Sequence, residues 1–191
     1  MRNVSKAYLA GLIVGDGHIE VGTNRIVITT SNAAYKQLVC DALRNLGFSP
    51  RTVFDRIGGN TWKISVYSKS FKNNLERDYG IPSGDKTLMD APRVPDAEIV
   101  EFIAGLYDAE GWFELIHGKY FRIRFKVKSK ALATFVFDKL CGFGFNAKMN
   151  EKDACFSVDL NRQPEIACFL HLFCLYHPRW APLQLSLRQK A

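Results

Sequence analysis

The chain has 191 residues, enough for one or two compact units that bury a core without metal or disulfide support. With 47% apolar and 24% charged residues and only 14 Gly and 7 Pro, the composition excludes a disordered or collagen-like chain, and no run of 18 apolar residues offers a membrane span. An intracellular protein is the default expectation, and the basic excess, 26 − 19 = +7, favours an anionic partner such as nucleic acid.

The first strong pattern is LAGLIVGDG at 9–17, in a helix whose Ala7, Gly11 and Gly15 recur every four residues and make one face small, while Leu9, Leu12 and Ile13 supply apolar bulk. RIVITT at 25–30 then predicts a strand, AAYKQLVCDALRNLGF a helix, 51–57 and 61–67 two more strands, and 70–79 a closing helix. Pro92 and Pro95 interrupt regular structure, and Asp96 is placed to cap a helix beginning near Ala97. That helix carries IAGLYDAEG at 103–111, offset by 94 residues from the first motif. The same order follows it: a strand in YFRIRFKVK at 120–128, a helix in ALATFVFDKLCGFGF, strands near 146–151 and 154–160, and a closing helix at 164–175.

The expected fold is therefore α+β and duplicated, with paired helices and two antiparallel sheets: a first subdomain at 1–91, a short linker at 92–96 and a second subdomain at 97–191. The basic character belongs to both halves, 13 − 8 = +5 through residue 95 and 13 − 11 = +2 from residue 96 on. Cys40, Cys141, Cys155, Cys168 and Cys174 form no CxxC pair, lie among apolar residues and read as buried thiols.

Glycine costs about 1 kcal/mol in a helix interior, so the motif glycines require a packing reason, which two helices lying side by side provide. In that arrangement Asp16 and Glu110 meet at two helix C-termini, where partial negative charge and mutual repulsion both disfavour ionised acids. A divalent cation held by carboxylates and nearby carbonyls resolves the conflict. The alternative is a pair of surface acids, each followed by a left-handed glycine, Gly17 or Gly111.

With these motifs the sequence resembles the LAGLIDADG homing endonuclease family in its monomeric, two-motif form, along nearly the entire chain. LAGLIVGDG departs from the family name at Val14 and Gly15, and IAGLYDAEG at Ile103, Tyr107 and Glu110. The resemblance implies motif helices paired between the halves, a curved sheet from each half over DNA, and cleavage of both strands across the minor groove with short 3′ overhangs. It implies Mg2+ as cofactor, with Mn2+ as a substitute. The family's essential acids fall on Asp16 and Glu110, and its metal-contacting carbonyls on Gly15 and Ala109. Lys86 resembles the family's basic residue after the first subdomain, with Lys128 as a partial counterpart through the other sheet. Thr30 matches a polar position near the water network. Against these stand plainer readings: a solvated loop lysine at 86, a phosphate contact at 128 and a sheet-edge hydroxyl at 30. His18 is placed as a packing or DNA-contacting residue, since its counterpart Trp112 has no basic nitrogen.

FRIRFKVK at 121–128 alternates strictly, so Arg122, Arg124, Lys126 and Lys128 share one face. Thr61, Lys63, Ser65 and Tyr67, and likewise Ser157, Asp159 and Asn161, form gentler polar faces suited to base edges, and Arg25, Thr29, Arg51, Arg56, Lys148 and Lys152 extend the footprint. Two unlike halves in one chain predict a functional monomer on a long, asymmetric double-stranded DNA target. A noncatalytic DNA-binding regulator and an intron RNA-splicing maturase are the competing functions.

Overall fold

A computed structural model describes residues 4–57 and 59–188. Two four-stranded antiparallel sheets are each backed by helices. The first half runs α1 (Lys6–Asp16), β1 (Gly17–Ile19), β2 (Arg25–Thr30), α2 (Ala33–Asn45), β3 (Arg51–Asp55), β4 (Thr61–Tyr67) and α3 (Lys69–Arg77). The second runs α4 (Ile99–Glu110), β5 (Gly111–Ile116), β6 (Tyr120–Val127), α5 (Lys130–Gly142), β7 (Lys148–Lys152), β8 (Cys155–Leu160) and α6 (Gln163–Leu172), then a 3-10 turn (Pro178–Trp180) and α7 (Ala181–Arg188). The strand orders β1-β2-β4-β3 and β5-β6-β8-β7 are the same, which is the duplicated fold expected. The turn and α7 lie beyond the pattern expected from the sequence.

The small faces of α1 and α4 meet. A Cβ built on Gly11 would stand 2.0 Å from the Phe102 carbonyl oxygen, and one on Gly105 would stand 2.0 Å from that of Tyr8. A Cβ on Gly15 would stand 2.2 Å from the Ala109 Cβ. The contacts are reciprocal under the 94-residue offset, so the helices run side by side in the same direction. Only glycine permits this backbone approach. Around the seam Leu9, Leu12, Ile13, Phe102, Ile103 and Leu106 are wholly buried, so both halves share one core.

Both helices pass directly into a strand. Gly17 and Gly111 have φ of −122° and −89°, extended rather than left-handed, which removes the helix-end cap of the plainer reading. Crowding explains glycine at both positions: an added Cβ would lie 2.8 Å from the Val27 oxygen at Gly17 and 2.6 Å from the Tyr107 oxygen at Gly111.

Asp96 does not cap. It lies in a short 3-10 turn (Asp96–Glu98) ahead of α4, with no side-chain cap bond, and faces Lys139 across 3.6 Å. The segment between α3 and α4 is tied down on both sides, Arg93 N–H donating to the Tyr79 carbonyl and the Ser129 hydroxyl of the second half to that of Met89. None of the five cysteines is in a disulfide, but only Cys40 is buried, against the expectation of five buried thiols; Cys141 and Cys168 are exposed, because each lies on the outer face of its helix. Among the described residues no helix is long and apolar enough to cross a membrane.

Candidate nucleic-acid interface and acidic centre

At a helix C-terminus the last carbonyls lack intrahelical donors. The Gly17 and Gly111 N–H groups close back on the Ile13 and Tyr107 carbonyls, and because β1 and β5 then begin at once, two cations serve the carbonyls at these ends. Lys86 Nζ donates to the carbonyls of Ile13 at 2.6 Å, Val14, and Gly15 at 2.8 Å. An ammonium has three donors, and here all three are used, so Lys86 closes the end of α1 rather than standing in solvent. Burial pulls its pKa down to about 8 against the pull of Glu110 and Asp16.

On the other helix the equivalent cation is Arg179, whose Nη1 donates to the carbonyls of Ala109 at 3.3 Å and Gly111 at 3.0 Å. Sequence reading assigned the counterpart of Lys86 to Lys128; the structure puts Arg179 there. The signal was present in the repeat: Lys86 follows Asp16 by 70 residues, and Arg179 follows Glu110 by 69. Lys128 is exposed and lies on the other wall of a cleft of about 320 Å³ that also takes in Gly15, Lys86, Glu110 and Lys126.

Asp16 and Glu110 meet as expected. Burial, then the charge of Glu110, pushes the Asp16 carboxyl up to about 6, with Arg179 and Lys86 opposing. Burial likewise raises Glu110. Thr30 is buried and its Oγ1 accepts from the Asn32 N–H at 3.2 Å, which occupies it in the turn that starts α2. Among the described residues no group of three or more His, Cys, Asp or Glu side chains is arranged to hold a metal ion. The donors at the centre are hard oxygens: two carboxylates, and the Gly15 and Ala109 carbonyls that Lys86 and Arg179 already engage.

Pairing register sets the outer face of each sheet. In the first, Arg25 opposes Tyr67, Thr29 opposes Lys63, Ser65 opposes Arg51, and Thr61 opposes Asp55, so these predicted contacts share a face. His18 opposes Val27 on that same face and is exposed. Arg56 is exposed in the turn after β3. Lys63 is held by Asp55 at 2.7 Å.

In the second sheet a groove of about 580 Å³ gathers Arg122, Arg124, Lys126, Lys148, Lys152, Ser157, Asp159 and Asn161, the complete set predicted there apart from Lys128. Its charge differs from the expected open row of four cations. Arg124 donates to both oxygens of Asp159, at 2.8 and 2.9 Å, while its Nη1 lies 3.4 Å from Glu114. Arg122 donates to Asn161 at 2.6 Å and pairs with Glu114 at 3.2 Å. Asp159 is only 4% exposed, so it anchors Arg124 rather than standing open. The acids share the arginines' face because β5 and β8 flank β6 in register.

A family model for the LAGLIDADG-like domain matches residues 3–77 and 97–164, most of the chain. A search of curated proteins finds no relative. Among solved structures, the N-terminal LAGLIDADG domain of DUF199/WhiA superposes with a TM-score of 0.63 at 17% identity, covering 92% of this chain and 83% of that one. Full-length DUF199/WhiA from Thermatoga maritima gives 0.65 at 16%, covering 100% of this chain and 62% of that one. I-DmoI in complex with DNA and Ca gives 0.64 at 26%, covering 96% and 99%. The chain belongs to the LAGLIDADG-like domain family and carries two copies of its unit in one polypeptide.

Proposed function

We propose that the protein binds a long, asymmetric stretch of duplex DNA across its two sheets and hydrolyses both strands at Asp16 and Glu110. The carrying observation is the meeting of these two acids at adjacent helix ends, half-buried and each held above its ordinary pKa. Burying two like charges together costs stability unless a ligand relieves it. Mg2+, or Mn2+ in its place, suits hard carboxylate donors and commonly completes its shell with water and substrate phosphate, so a dedicated protein cage is not required. Held by Asp16 and Glu110, such a cation supplies charge neutralisation at phosphorus and lowers the pKa of water.

The chain's own residues do the rest. Lys86 and Arg179 hold the two helix ends, so that the acids project from fixed backbone, and offset the charge gathered between the halves. Lys126, Lys148 and Lys152 attract phosphates, while the polar faces built around Lys63, Ser157 and Asn161 meet base edges; Ser65, buried between its neighbours, supports that face from beneath. The expected products carry short 3′ overhangs, from one chain per target.

DNA binding without cleavage is the second reading. It is favoured by one observation: the Gly15 and Ala109 carbonyls, which the resemblance assigns to metal, are already engaged by Lys86 and Arg179. A pooled library of long duplexes incubated with Mg2+ or EDTA, with ends mapped, decides between them. Metal-dependent ends at one dominant sequence, lost at least about 100-fold in Asp16→Asn and Glu110→Gln while binding persists, support hydrolysis. Tight duplex retention without ends supports the regulator, and retention of structured intron RNA alone supports the maturase.

A further inference from the structure

We infer that Asp108, the acid two positions before Glu110, is a positioning residue that seats Arg179 on the α4 helix end. The inference rests on the cleavage reading above for its consequence in catalysis, but its geometry stands apart from it.

Asp108 is wholly buried, and the equivalent position of the first motif is the apolar Val14. A carboxylate in such a place must repay its lost hydration with hydrogen bonds. Its Oδ2 accepts from the Tyr8 hydroxyl at 2.5 Å and from the Tyr176 backbone N–H at 2.7 Å. Burial pushes this carboxyl up to about 6, with the Tyr8 hydroxyl, the Tyr176 and His177 N–H groups and the Trp180 indole opposing, although Oδ1 and Trp180 Nε1 lack a bond of ordinary geometry. One carboxylate thus gathers the backbone just before the 3-10 turn.

From there the connection runs through His177. Its Nδ1 accepts from both the N–H and the Nε–H of Arg179, at 3.0 and 3.1 Å, and its ring packs on Tyr35 with centroids 4.6 Å apart. Tyr35 hydrogen-bonds the Tyr8 hydroxyl at 2.5 Å, which closes the circuit back to Asp108. Arg179 is therefore fixed at Nε by His177 and directed at Nη1 to the carbonyls on either side of Glu110. Lys86 needs no such circuit, because its ammonium is saturated by three carbonyls of one helix end. Arg179 reaches α4 from a short 3-10 turn that follows α6; its backbone bonds, such as Trp180 N–H to the His177 carbonyl, are local to the turn, so its placement against α4 requires an external anchor. The acid at position 108 is that anchor.

The test uses the full chain in three forms besides wild type: Asp108→Asn, Arg179→Gln and the double variant. Single-turnover cleavage should fall about tenfold or more in Asp108→Asn, with DNA affinity changed no more than about threefold, since misplacement rather than binding is affected. In the Arg179→Gln background, Asp108→Asn should cost nothing further. A purely structural role predicts losses that multiply, and that result, or a wild-type rate in Asp108→Asn, overturns the inference. A second readout does not depend on cleavage. With arginine labelled with 15N, the Arg179 Nε–H resonance, assigned by its absence in Arg179→Gln, should exchange slowly in wild type and rapidly in Asp108→Asn. Unchanged protection overturns the inference whether or not the protein cuts DNA, whereas absence of cleavage in wild type with the exchange result intact rejects only the cleavage reading. If Asp108→Asn does not fold, His177→Phe removes the Nδ1 acceptor while keeping a ring against Tyr35. It should give the same rate loss and the same loss of protection, and wild-type values for both would refute the circuit.

Discussion

Gly105→Ala tests the close helix seam on which the acidic centre depends. Alanine would gain about 1 kcal/mol of helix propensity at an isolated position. At residue 105 the new Cβ would lie 2.0 Å from the Tyr8 oxygen and 2.8 Å from the Leu12 nitrogen, both backbone atoms. Neither can rotate away. Restoring an ordinary contact of more than 3 Å requires the helices to part by about 1 Å, which loosens the packing along the buried seam. Overpacking against backbone, net of the propensity gain, should cost about 2–4 kcal/mol. For a chain of this length that is a fall in Tm of roughly 5–15 °C. Gly142→Ala is the matched control, because Gly142 ends α5 with nothing within 4 Å of an added Cβ; it should gain up to about 1 kcal/mol. Urea unfolding of both variants measures the difference. Gly11→Ala combined with Gly105→Ala should cost less than the sum, since the first change already opens the seam for the second. A Gly105→Ala protein as stable as wild type, or more so, would refute the reasoning, because propensity alone would then govern the position.

The raised Asp16 carboxyl predicts a pH-dependent stability difference. With its pKa about 6 in the folded chain against 3.8 unfolded, the folded state holds more protons between those values, so this group's contribution falls as pH rises from about 4 to 6 and is constant above. Asp16→Asn should therefore be more stable than wild type by about 1–3 kcal/mol at pH 8 without divalent cations and indistinguishable near pH 3. Thermal melts of both proteins across that range test this, and the difference between them isolates Asp16 from His177, whose depressed pKa of about 4 gives the opposite slope. On the second sheet, Lys148→Ala should weaken duplex binding and reduce the salt slope by about 0.9 with stability unchanged, whereas Arg124→Ala should lower stability by about 1–3 kcal/mol by stranding Asp159. Salt-series binding and denaturation of each variant separate the two kinds of cation.

The parts of the fold carried by local periodicity were legible in the sequence. The small-residue spacing gave the helix seam, and strict alternation in β6 gave both its buried face and the shared placement of Arg122, Arg124 and Lys126. Charge on that face was not legible from β6 alone. Glu114 and Asp159 come from β5 and β8, and whether they lie beside the arginines is decided by register, which a single strand does not encode. A motif marks Lys86 in the sequence, yet its bonds to three carbonyls depend on how the segment after α3 folds back over α1. Arg179 was missed because HPRW at 177–180 has no period and follows the last repeated element. Carrying the 94-residue offset past α6 would have pointed to it within one residue.

The two helix ends show why duplication in one chain need not preserve equivalence. Each helix presents unpaired carbonyls beside an acid, and each requires a cation held out of bulk water. A lysine satisfies this when a neighbouring segment delivers its compact head to three carbonyls at once, as at Lys86. An arginine is the workable choice where the cation arrives from farther away, because its fork lets one nitrogen be fixed by His177 while another reaches Ala109 and Gly111. The second solution carries a dependence that the first lacks: it requires a buried acceptor for the turn and an acceptor for Nε. Both are present on this chain, at Asp108 and His177, and neither has a like residue at the corresponding place in the first half, where Val14 packs in the core. The asymmetry of the centre therefore follows from how each cation is delivered, and a symmetric exchange of lysine for Arg179 would leave His177 Nδ1 with the backbone N–H of residue 179 alone and lose the fork that reaches Gly111.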